Sequence, residues 1–267
     1  GFLECCIKWH RGKMNDFSEW IESRNKQWSN PAGFLAVTGM HWLSETPQSF
    51  DDVTGQWWAI GHTAYATGFE GNPAEQSWTI DRDSEVMVDM TGGVLEIASR
   101  GGNLALRPRH ANNKMFELFD GVITYDYNPN FKVIATLKRD ERTVPIDSVI
   151  GDIGMSMEAV GTLHFTLEGE ELQLTAFHRA NPELLSIIFR DATSGKETYG
   201  TGRNVTAKHL EGDQWEIDFN KSGNYPCAYT DFATCPVAPL ENHLKVAIEA
   251  GEKIPNIKNT ADGVVTR

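Results

Sequence analysis

Apolar and polar residues alternate along much of the chain after about residue 50, and this alternation predicts short strands. Residues 86–90, 95–97 and 104–106 each place an apolar side chain at every second position. The glycine pairs at 92–93 and 101–102 separate these segments. Because side chains in a strand point alternately to opposite faces, a period of two interrupted by glycine turns is typical of antiparallel strands.

A β-hairpin is predicted where the same period occurs twice in close succession. Apolar residues occupy every second position in 162–168 and again in 172–176, with Glu168-Gly169-Glu170 as the turn between them. Further strands are predicted at 131–137, 184–189, 215–219 and 244–249. The segment 184–189 is apolar throughout, as expected for a strand that is buried on both faces.

The N-terminal region follows a different period and predicts a helix over residues 15–28. Its apolar side chains, among them Phe17, Trp20 and Trp28, recur at spacings of three, four and seven residues. Asn15 or Asp16 can cap the first turn. The pattern therefore predicts an all-β protein, with an antiparallel barrel-like or sandwiched sheet and a short N-terminal helix.

Domain organisation follows from the absence of repeats, low-complexity blocks and Pro/Ser-rich linkers, which favours a single β domain over residues 14–267. Residues 1–13 carry a net positive charge and precede Met14-Asn15-Asp16, which resembles a natural start. We expect residues 1–13 to be an N-terminal extension or a cloning remnant.

Composition narrows the partners and the compartment. The net charge is −13 and the pI is about 5.0, which argues against nucleic acid or an anionic membrane surface as a partner. The sequence contains neither an apolar run of membrane-spanning length nor a secretory signal. With Cys227 and Cys235 as its cysteines outside the extension, the chain is predicted to be cytoplasmic, with reduced thiols.

Candidate chemistry concentrates in residues 199–242, where Gly, Pro, Cys and isolated charges interrupt the strand pattern. Arg203 follows a Gly-Thr-Gly sequence and offers a planar fork for a carboxylate or phosphate. The alternative is an internal ion pair of Arg203 with Asp218 or Glu241. Phosphate-loop, dinucleotide-binding, metalloprotease and nucleophile-elbow motifs are absent from the sequence.

Cys227, Cys235 and His243 are separated by eight and eight residues. This spacing allows a zinc site or a Cys–His nucleophile pair only if the loops fold back on themselves. Compact zinc sites usually contain a closer pair of ligands. We therefore predict two reduced, buried thiols that pack a proline-rich loop, without metal and without a cofactor.

A second candidate region is the Trp-rich N-terminal segment, where His41 and Trp42 lie between apolar residues. A single histidine in such a setting is more often a structural residue than a ligand. The candidate ligand-binding set combines both regions: Tyr199, Arg203, Asp218, Asn220, Glu241, Asn242, His41 and Trp42.

Four segments resemble an uncharacterised bacterial and archaeal family, domain of unknown function 1684. They are DATSGKETYGTGR (191–203), DFN (218–220), YPCAYTDFATCPVAPLENHLKVAIEAGE (225–252) and GFLAVTGMHWL (33–43). The chain departs from the family pattern at Tyr225, His243 and Lys245, where the family tends to have Pro, Arg and Pro. The resemblance implies no established activity. It places eight residues in the family's characteristic motif: Tyr199, Arg203, Asp218, Asn220, Cys227, Cys235, Glu241 and Asn242.

Three functions remain open at the level of sequence. The first is binding of a small molecule in a pocket formed by residues 199–242 and the Trp-rich N-terminal segment, with Arg203 contacting an anionic or carbonyl group. The second is a structural or protein-interaction module in which the motif only locks the fold. The third is a thiol-dependent hydrolase or transferase. The sequence assigns no catalytic residue, ligand identity or oligomeric state.

Overall fold

The computed structural model describes residues 16–267, apart from the side chain of Asp152. The prediction for residues 1–13 lies outside the described residues. The chain divides into two compact units. The barrel unit comprises residues 16–26, Gly121–Ala228 and Cys235–Pro255, and the sandwich unit comprises Gln27–Asp120, Tyr229–Thr234 and Asn256–Arg267. Compact units can belong to one domain, so the single domain over 14–267 stays a prediction.

Strands dominate the described chain. In chain order the elements are α1 (16–28), β1 (His41–Trp42), β2 (Gln48–Phe50), β3 (Val53–Ile60), β4 (Thr63–Thr67), β5 (Gln76–Thr79), β6 (Glu85–Met90), β7 (Gly93–Arg100), β8 (Asn103–His110), α2 (Met115–Leu118), β9 (Lys132–Ser148), β10 (Gly151–Leu167), β11 (Glu170–Phe177), β12 (Leu184–Phe189), β13 (Arg203–His209), β14 (Gln214–Asp218), β15 (Ile257–Thr260) and β16 (Gly263–Thr266). Short 3-10 turns connect several of them.

The predicted N-terminal helix is confirmed over the described residues 16–28. Phe17 and Trp28 are both buried, as the helical spacing of the apolar residues requires. Within residues 16–267, no helix combines the length and the apolar character that a membrane crossing needs.

The sandwich unit contains two four-stranded antiparallel sheets, in the orders β1-β8-β7-β6 and β2-β3-β4-β5, and the hairpin β15-β16. The alternation at 86–90, 95–97 and 104–106 is confirmed as β6, β7 and β8. The inward-facing side chains of both sheets form one hydrophobic core. At its centre, Trp57 stacks on Trp78 with the ring centroids 5.2 Å apart.

The barrel unit is a closed ring of six antiparallel strands in the order β10-β11-β12-β13-β14-β9. Closure leaves none of the six strands with an unpaired edge along its full length. Alternate residues of these strands point inward and fill the interior, including Leu163, Leu174, Ile187 and Ile217. The predicted all-β antiparallel fold with a short N-terminal helix is therefore confirmed.

The predicted hairpin is β10–β11, in which Leu167 pairs with Glu170. Glu168 and Gly169 form the two-residue turn with φ values of 51° and 85°. A two-residue turn with positive φ at both positions matches the twist of the strands that it joins. Glycine at the second position adopts this conformation without steric cost.

The predicted strand at 244–249 is wrong. None of residues 244–249 belongs to a strand or a bridge, and the preceding residue, His243, forms a single parallel bridge with Arg190. The start of the segment runs alongside the residues that follow β12, and Leu244 N–H donates to Arg190 O at 2.8 Å. Further along, the carbonyl groups of Ile248 and Ala250 accept hydrogen bonds from a side chain, that of Arg203. A buried guanidinium thus takes the place of a neighbouring strand.

Candidate functional site

Arg203 lies at the centre of the family motif and is 1% exposed. Its Nη2 donates to Asp191 Oδ2 at 2.8 Å and to Ile248 O at 2.9 Å. Its Nη1 donates to the carbonyl groups of Ala250 and Glu252. The partner of Arg203 is therefore Asp191, and the pairing with Asp218 or Glu241 that we considered from sequence is wrong.

Asp191 completes this ion pair and is equally enclosed, with a side chain that is 0% exposed. Its second oxygen, Oδ1, accepts hydrogen bonds from the backbone N–H and the hydroxyl of Thr193, at 2.7 and 2.5 Å. Burial lowers the pKa of Arg203, and the negative charge of Asp191 opposes that shift. The pair is thus buried, charged and hydrogen-bonded on both sides.

Two asparagines of the motif use their side-chain amides to form hydrogen bonds with backbone groups of other segments. Asn242 accepts from Thr175 N–H at 2.7 Å and donates to the carbonyls of Thr175 and Ile188 at 2.9 and 2.8 Å. Asn220 accepts from Asn128 N–H at 2.8 Å and donates to Asn128 O at 2.9 Å. Both asparagines are 0% exposed, so each amide binds backbone groups from a buried position.

The other motif candidates also contact neighbouring protein groups. Tyr199 Oη donates to Cys227 O at 2.7 Å. Glu241 Oε1 accepts from Arg142 Nη2 at 2.8 Å. Asp218 accepts from the backbone and side-chain N–H groups of Asn220, at 3.2 and 2.9 Å. Each of these side chains therefore supports the loop or strand beside it.

Cys227 and Cys235 are buried thiols, and Cys227 N–H donates to Cys235 Sγ at 3.3 Å. The nearby Tyr225 has its pKa raised, chiefly by burial. His243 Nε2 donates to Ala238 O at 3.0 Å, which engages its ring with backbone. In the part of the chain that the structure describes, no three His, Cys, Asp or Glu side chains form a metal-binding group.

A small cleft of the barrel unit, of about 230 Å³, lies beside Asp218. Trp20 and Leu184 give it an apolar side, and Lys208 and Glu216 give it charges of both signs. Two of its charged residues are already paired: Lys221 contacts Asp16 at 2.5 Å, and Glu216 contacts Lys132 at 2.7 Å.

The sandwich unit contains a different arrangement, in which His41 and Asp52 form a partly exposed pair. His41 lies in β1 and Asp52 lies in the tight turn between β2 and β3. His41 Nε2 is 2.6 Å from Asp52 Oδ1, and both side chains are 24% exposed. Trp42, the next residue, is 36% exposed and points to the opposite face of the sheet.

Three further contacts fix the geometry of this pair. Thr38 Oγ1 donates to Asp52 Oδ2 at 2.9 Å, which holds the second carboxylate oxygen. The His41 ring stacks on Phe50, with centroids 4.3 Å apart and planes 18° from parallel. Gly39 packs closely against the pair: a Cβ atom there would lie 2.9 Å from both Asp52 Oδ2 and His41 Nε2.

The surroundings of Asp52 favour its ionised form. Partial burial raises the pKa of Asp52, but hydrogen bonds from His41 and Thr38 and the charge of His41 outweigh it, so the net pKa is lowered. Asp52 is therefore ionised at neutral pH and accepts the proton of Nε2. Nothing among residues 16–267 forms a hydrogen bond with Nδ1 of His41.

Asp52 and Phe50 also line an open groove of about 550 Å³. Asp51 and Glu70 contribute two more carboxylates to its lining, and His110 contributes an imidazole whose Nε2 donates to Asp52 O at 3.3 Å. Among the described residues that line the groove, none is Lys or Arg. The groove is therefore negatively charged, with an aromatic ring at its side.

The candidate set thus separates into two groups. Six of the ligand-binding candidates, Tyr199 to Asn242, lie in the barrel unit, whereas His41 and Trp42 lie in the sandwich unit. Sequence reasoning named His41 but missed Asp52, Thr38 and the groove. The sequence does contain a hydrophilic Asp51-Asp52 turn between two short strands. This turn alone does not indicate that either aspartate pairs with His41.

Comparison with known proteins places the chain in a family. A family model described as "Protein of unknown function (DUF1684)" matches residues 117–253, just over half of the chain and including all of β9–β14. No curated protein matches the chain. Among solved structures, the chain is similar to the solution NMR structure of an uncharacterised protein of Haloarcula marismortui, and the two sequences are 32% identical. That likeness covers 52% of this chain and 80% of the archaeal one, with a TM-score of 0.43.

The matched residues 117–253 include each motif element described above: the Arg203–Asp191 pair, the two backbone-binding asparagines and the thiol pair. The chain therefore belongs to the DUF1684 family, proteins of unknown function.

Proposed function

We propose that the protein binds a small molecule with a positively charged group in the groove of the sandwich unit. The observation that carries this proposal is the ionised Asp52, which is held by Thr38 and His41 at the wall of a groove of about 550 Å³. Ligand sites are typically concave, with a few fixed polar groups among apolar ones. Asp52 and Phe50 supply these two kinds of contact on the same wall.

The charge of the groove supports the class of ligand. Asp51, Asp52 and Glu70 line it, and the described lining contains no basic side chain apart from His110. An ammonium group gains from nearby carboxylates and from the face of an aromatic ring such as Phe50. An anionic ligand would instead meet like charges.

This proposal keeps the predicted small-molecule function but not the predicted contact to Arg203. The guanidinium of Arg203 already donates to one carboxylate and three carbonyl groups, so an anion would have to displace these partners. The pocket between residues 199–242 and the N-terminal segment stays a prediction.

Titration of the protein with 1,4-diaminobutane, followed by NMR, tests the proposal. We expect chemical-shift changes in 49–55 and at His110, and weaker binding at higher salt because exposed charges are screened. Asp51→Asn removes an exposed charge of the groove and should raise the Kd about threefold. Asp89→Asn removes an equally exposed carboxylate outside the groove lining and is the matched control. Shifts spread evenly over the surface, or equal effects of the two variants, would contradict the proposal.

A second function, favoured by the contacts of Arg203, Asn220 and Asn242, is structural. We propose that the family motif at 191–252 locks the chain after β14 onto the barrel. Its support is that these three buried side chains bind backbone groups of distant segments rather than facing a cavity. The free energies of unfolding of Asp191→Asn and Asn242→Ala, measured by urea denaturation, test this role.

The thiol-dependent alternative rests on Cys227 and Cys235 and stays a prediction. Burial in apolar surroundings makes a thiol a poor nucleophile, and both thiols are buried. Alkylation of the native protein by iodoacetamide, followed by peptide mapping, tests it. We expect no modification at either position while the protein is folded.

A further inference from the structure

We propose that the cleft of the barrel unit beside Asp218 binds a free α-amino acid with an apolar side chain. The cleft has a volume of about 230 Å³, and α1, β12, β13, β14 and Lys221 contribute its lining. Sites for drug-sized ligands typically have about 300–1,000 Å³, so a cleft of this size takes a smaller molecule. The proposal does not rest on the groove of the sandwich unit, because the two sites share no residue.

The floor of the cleft is the outer face of three neighbouring barrel strands. Leu184 of β12 pairs with Lys208 of β13, and Lys208 pairs with Glu216 of β14. Asp218 lies two residues beyond Glu216 in β14, so its side chain is on the same face of the sheet. Diagonal neighbours on one face are about 7–8 Å apart, so one small molecule can contact both Asp218 and Lys208.

Asp218 supplies a carboxylate oxygen that has no partner within the described chain. The residue is 7% exposed and lines the cleft. Its Oδ1 accepts two hydrogen bonds from Asn220, whereas no residue from 16 to 267 donates to Oδ2 or forms an ion pair with it. Buried polar atoms normally have a hydrogen-bond partner. An ammonium group bound in the cleft would supply one.

Lys208 supplies a positive charge at the exposed side of the same cleft. Among residues 16–267, it forms no ion pair. Two residues earlier in β13, the hydroxyl oxygen of Thr206 accepts from Arg179 Nη1 at 3.1 Å. The hydrogen of that hydroxyl remains to be donated. Lys208 and Thr206 can therefore bind the two oxygens of one carboxylate group.

The other two charged side chains of the lining are neutralised within the protein. Lys221 contacts Asp16 at 2.5 Å, and Glu216 contacts Lys132 at 2.7 Å. The cleft therefore offers one negative and one positive group that the described chain does not pair. A ligand with only an ammonium or only a carboxylate group would leave one of them without a partner, whereas an α-amino acid pairs with both.

Trp20 and Leu184 form the apolar side of the cleft. Trp20 belongs to α1 and stacks on Phe17, with the ring centroids 5.9 Å apart and the planes 13° from parallel. This packing holds the indole in place, so the ring is a fixed apolar surface for the side chain of the amino acid. The class of ligand that fits is an amino acid such as leucine.

NMR titration of the protein with L-leucine and two analogues tests the proposal. One analogue, 3-methylbutylamine, is leucine without its carboxylate, and the other, 4-methylpentanoate, is leucine without its ammonium group. We expect leucine to shift the indole signal of Trp20 and the backbone signals of 206–208 and 216–218. Each analogue lacks one charge-assisted hydrogen bond and should bind about tenfold more weakly.

Three variants assign the contacts. Asp218→Asn keeps the oxygen that Asn220 binds but removes the charge, and it should raise the Kd of leucine about tenfold. Lys208→Gln should raise that Kd about threefold and leave the binding of 3-methylbutylamine unchanged, because this analogue has no carboxylate. Lys138→Gln changes an exposed lysine of β9 outside the cleft lining and is the matched control.

Four results would overturn the proposal. They are the absence of shifts at the named positions, an analogue that binds as tightly as leucine, equal effects of Lys208→Gln and Lys138→Gln, and an equal effect of Lys208→Gln on leucine and on 3-methylbutylamine. The last comparison excludes a general loss of structure, which would weaken both ligands alike. The melting temperature of each variant shows that folded proteins are being compared.

Discussion

Two aspartates of this chain each hold a basic side chain, and their surroundings differ. In the barrel unit, Asp191 pairs with Arg203 and the two side chains are 0% and 1% exposed. In the sandwich unit, Asp52 pairs with His41 and both side chains are 24% exposed. The distances are similar, at 2.8 and 2.6 Å, so the chemistry of the contact does not distinguish the pairs.

What distinguishes them is the use of the remaining polar atoms. Both terminal nitrogens of Arg203 bind backbone carbonyls, and the second oxygen of Asp191 binds Thr193. In the other pair, Asp52 is fully held but His41 keeps one nitrogen without a hydrogen bond. The buried pair holds segments together that are far apart in the sequence, whereas the partly exposed pair leaves one ring nitrogen of His41 without a hydrogen bond from any described residue.

The largest expected effect belongs to the sealed pair. Asp191→Asn leaves the guanidinium of Arg203 buried without a counter-charge, and removal of one partner of such a pair typically costs about 3–5 kcal/mol. We expect a loss of this size in the free energy of unfolding, measured by urea denaturation.

Arg142→Ala provides the control in the same unit. Arg142 is 32% exposed and pairs with Asp140 and Glu241 at 2.8 Å in each case. Exposed pairs contribute about 0–1 kcal/mol, so this variant should remain close to the wild type. Equal losses in Asp191→Asn and Arg142→Ala would show that the sealed pair is not a structural anchor.

The same contrast explains what could be read from the sequence. Strands such as β6, β7, β10 and β11 were predictable because alternation and glycine turns are local signals. The segment 244–249 carries the same alternation, yet Arg203 binds Ile248 O and Ala250 O from 45 and 47 residues away. No local pattern reveals a contact of that separation.

The site was predictable only in part, for a related reason. The composition of 199–242 identified residues with unusual contacts, but an internal anchor and a ligand site use the same residue types. His41 was named without its partner because Asp52 lies on a different strand connection and has no fixed spacing relative to histidine. The two roles differ in how deeply the side chains are buried and in which partners their polar atoms have. Neither property can be read from the spacing of residues in the sequence.

The next effect in size concerns the amide of Asn242. Asn242→Ala leaves Thr175 N–H, Thr175 O and Ile188 O without their partner inside the barrel unit. Unsatisfied buried polar groups cost about 1–3 kcal/mol each when they cannot relax, so we expect a total loss of about 3 kcal/mol in urea denaturation. Asn130→Ala, at an exposed position, should change the stability by less than about 0.5 kcal/mol. A small loss in both variants would remove the structural role proposed for the motif.

Gly39→Ala should have a smaller effect on the free energy of unfolding. The substitution places a methyl group against the His41–Asp52 pair. The new methyl group meets the flexible ends of Asp52 and His41 at 2.9 Å, so these side chains should shift rather than the backbone. We expect a cost of about 1 kcal/mol and a changed NMR shift of the His41 ring. An unchanged His41 signal would mean that the ring is not held where the structure has it.

The smallest effect should come from Asp52→Asn, the counterpart of Asp191→Asn. The side chain is partly exposed, so water can replace lost contacts, and we expect a loss of about 0.5 kcal/mol at neutral pH. This loss of stability should become smaller in acid. Hydrogen bonds and the charge of His41 hold the pKa of Asp52 below its ordinary value of 3.8, so the ionised carboxylate stabilises the folded state fully above that value. As the pH falls below 3.8 and through the lowered pKa of the folded state, wild-type Asp52 becomes protonated and this stabilisation disappears. The difference in unfolding free energy between wild type and Asp52→Asn should therefore shrink as the pH falls below about 4. Urea denaturation at a series of pH values from about pH 5 downwards measures this difference; a difference that does not shrink below about pH 4 would show that Asp52 is not the ionised partner of His41.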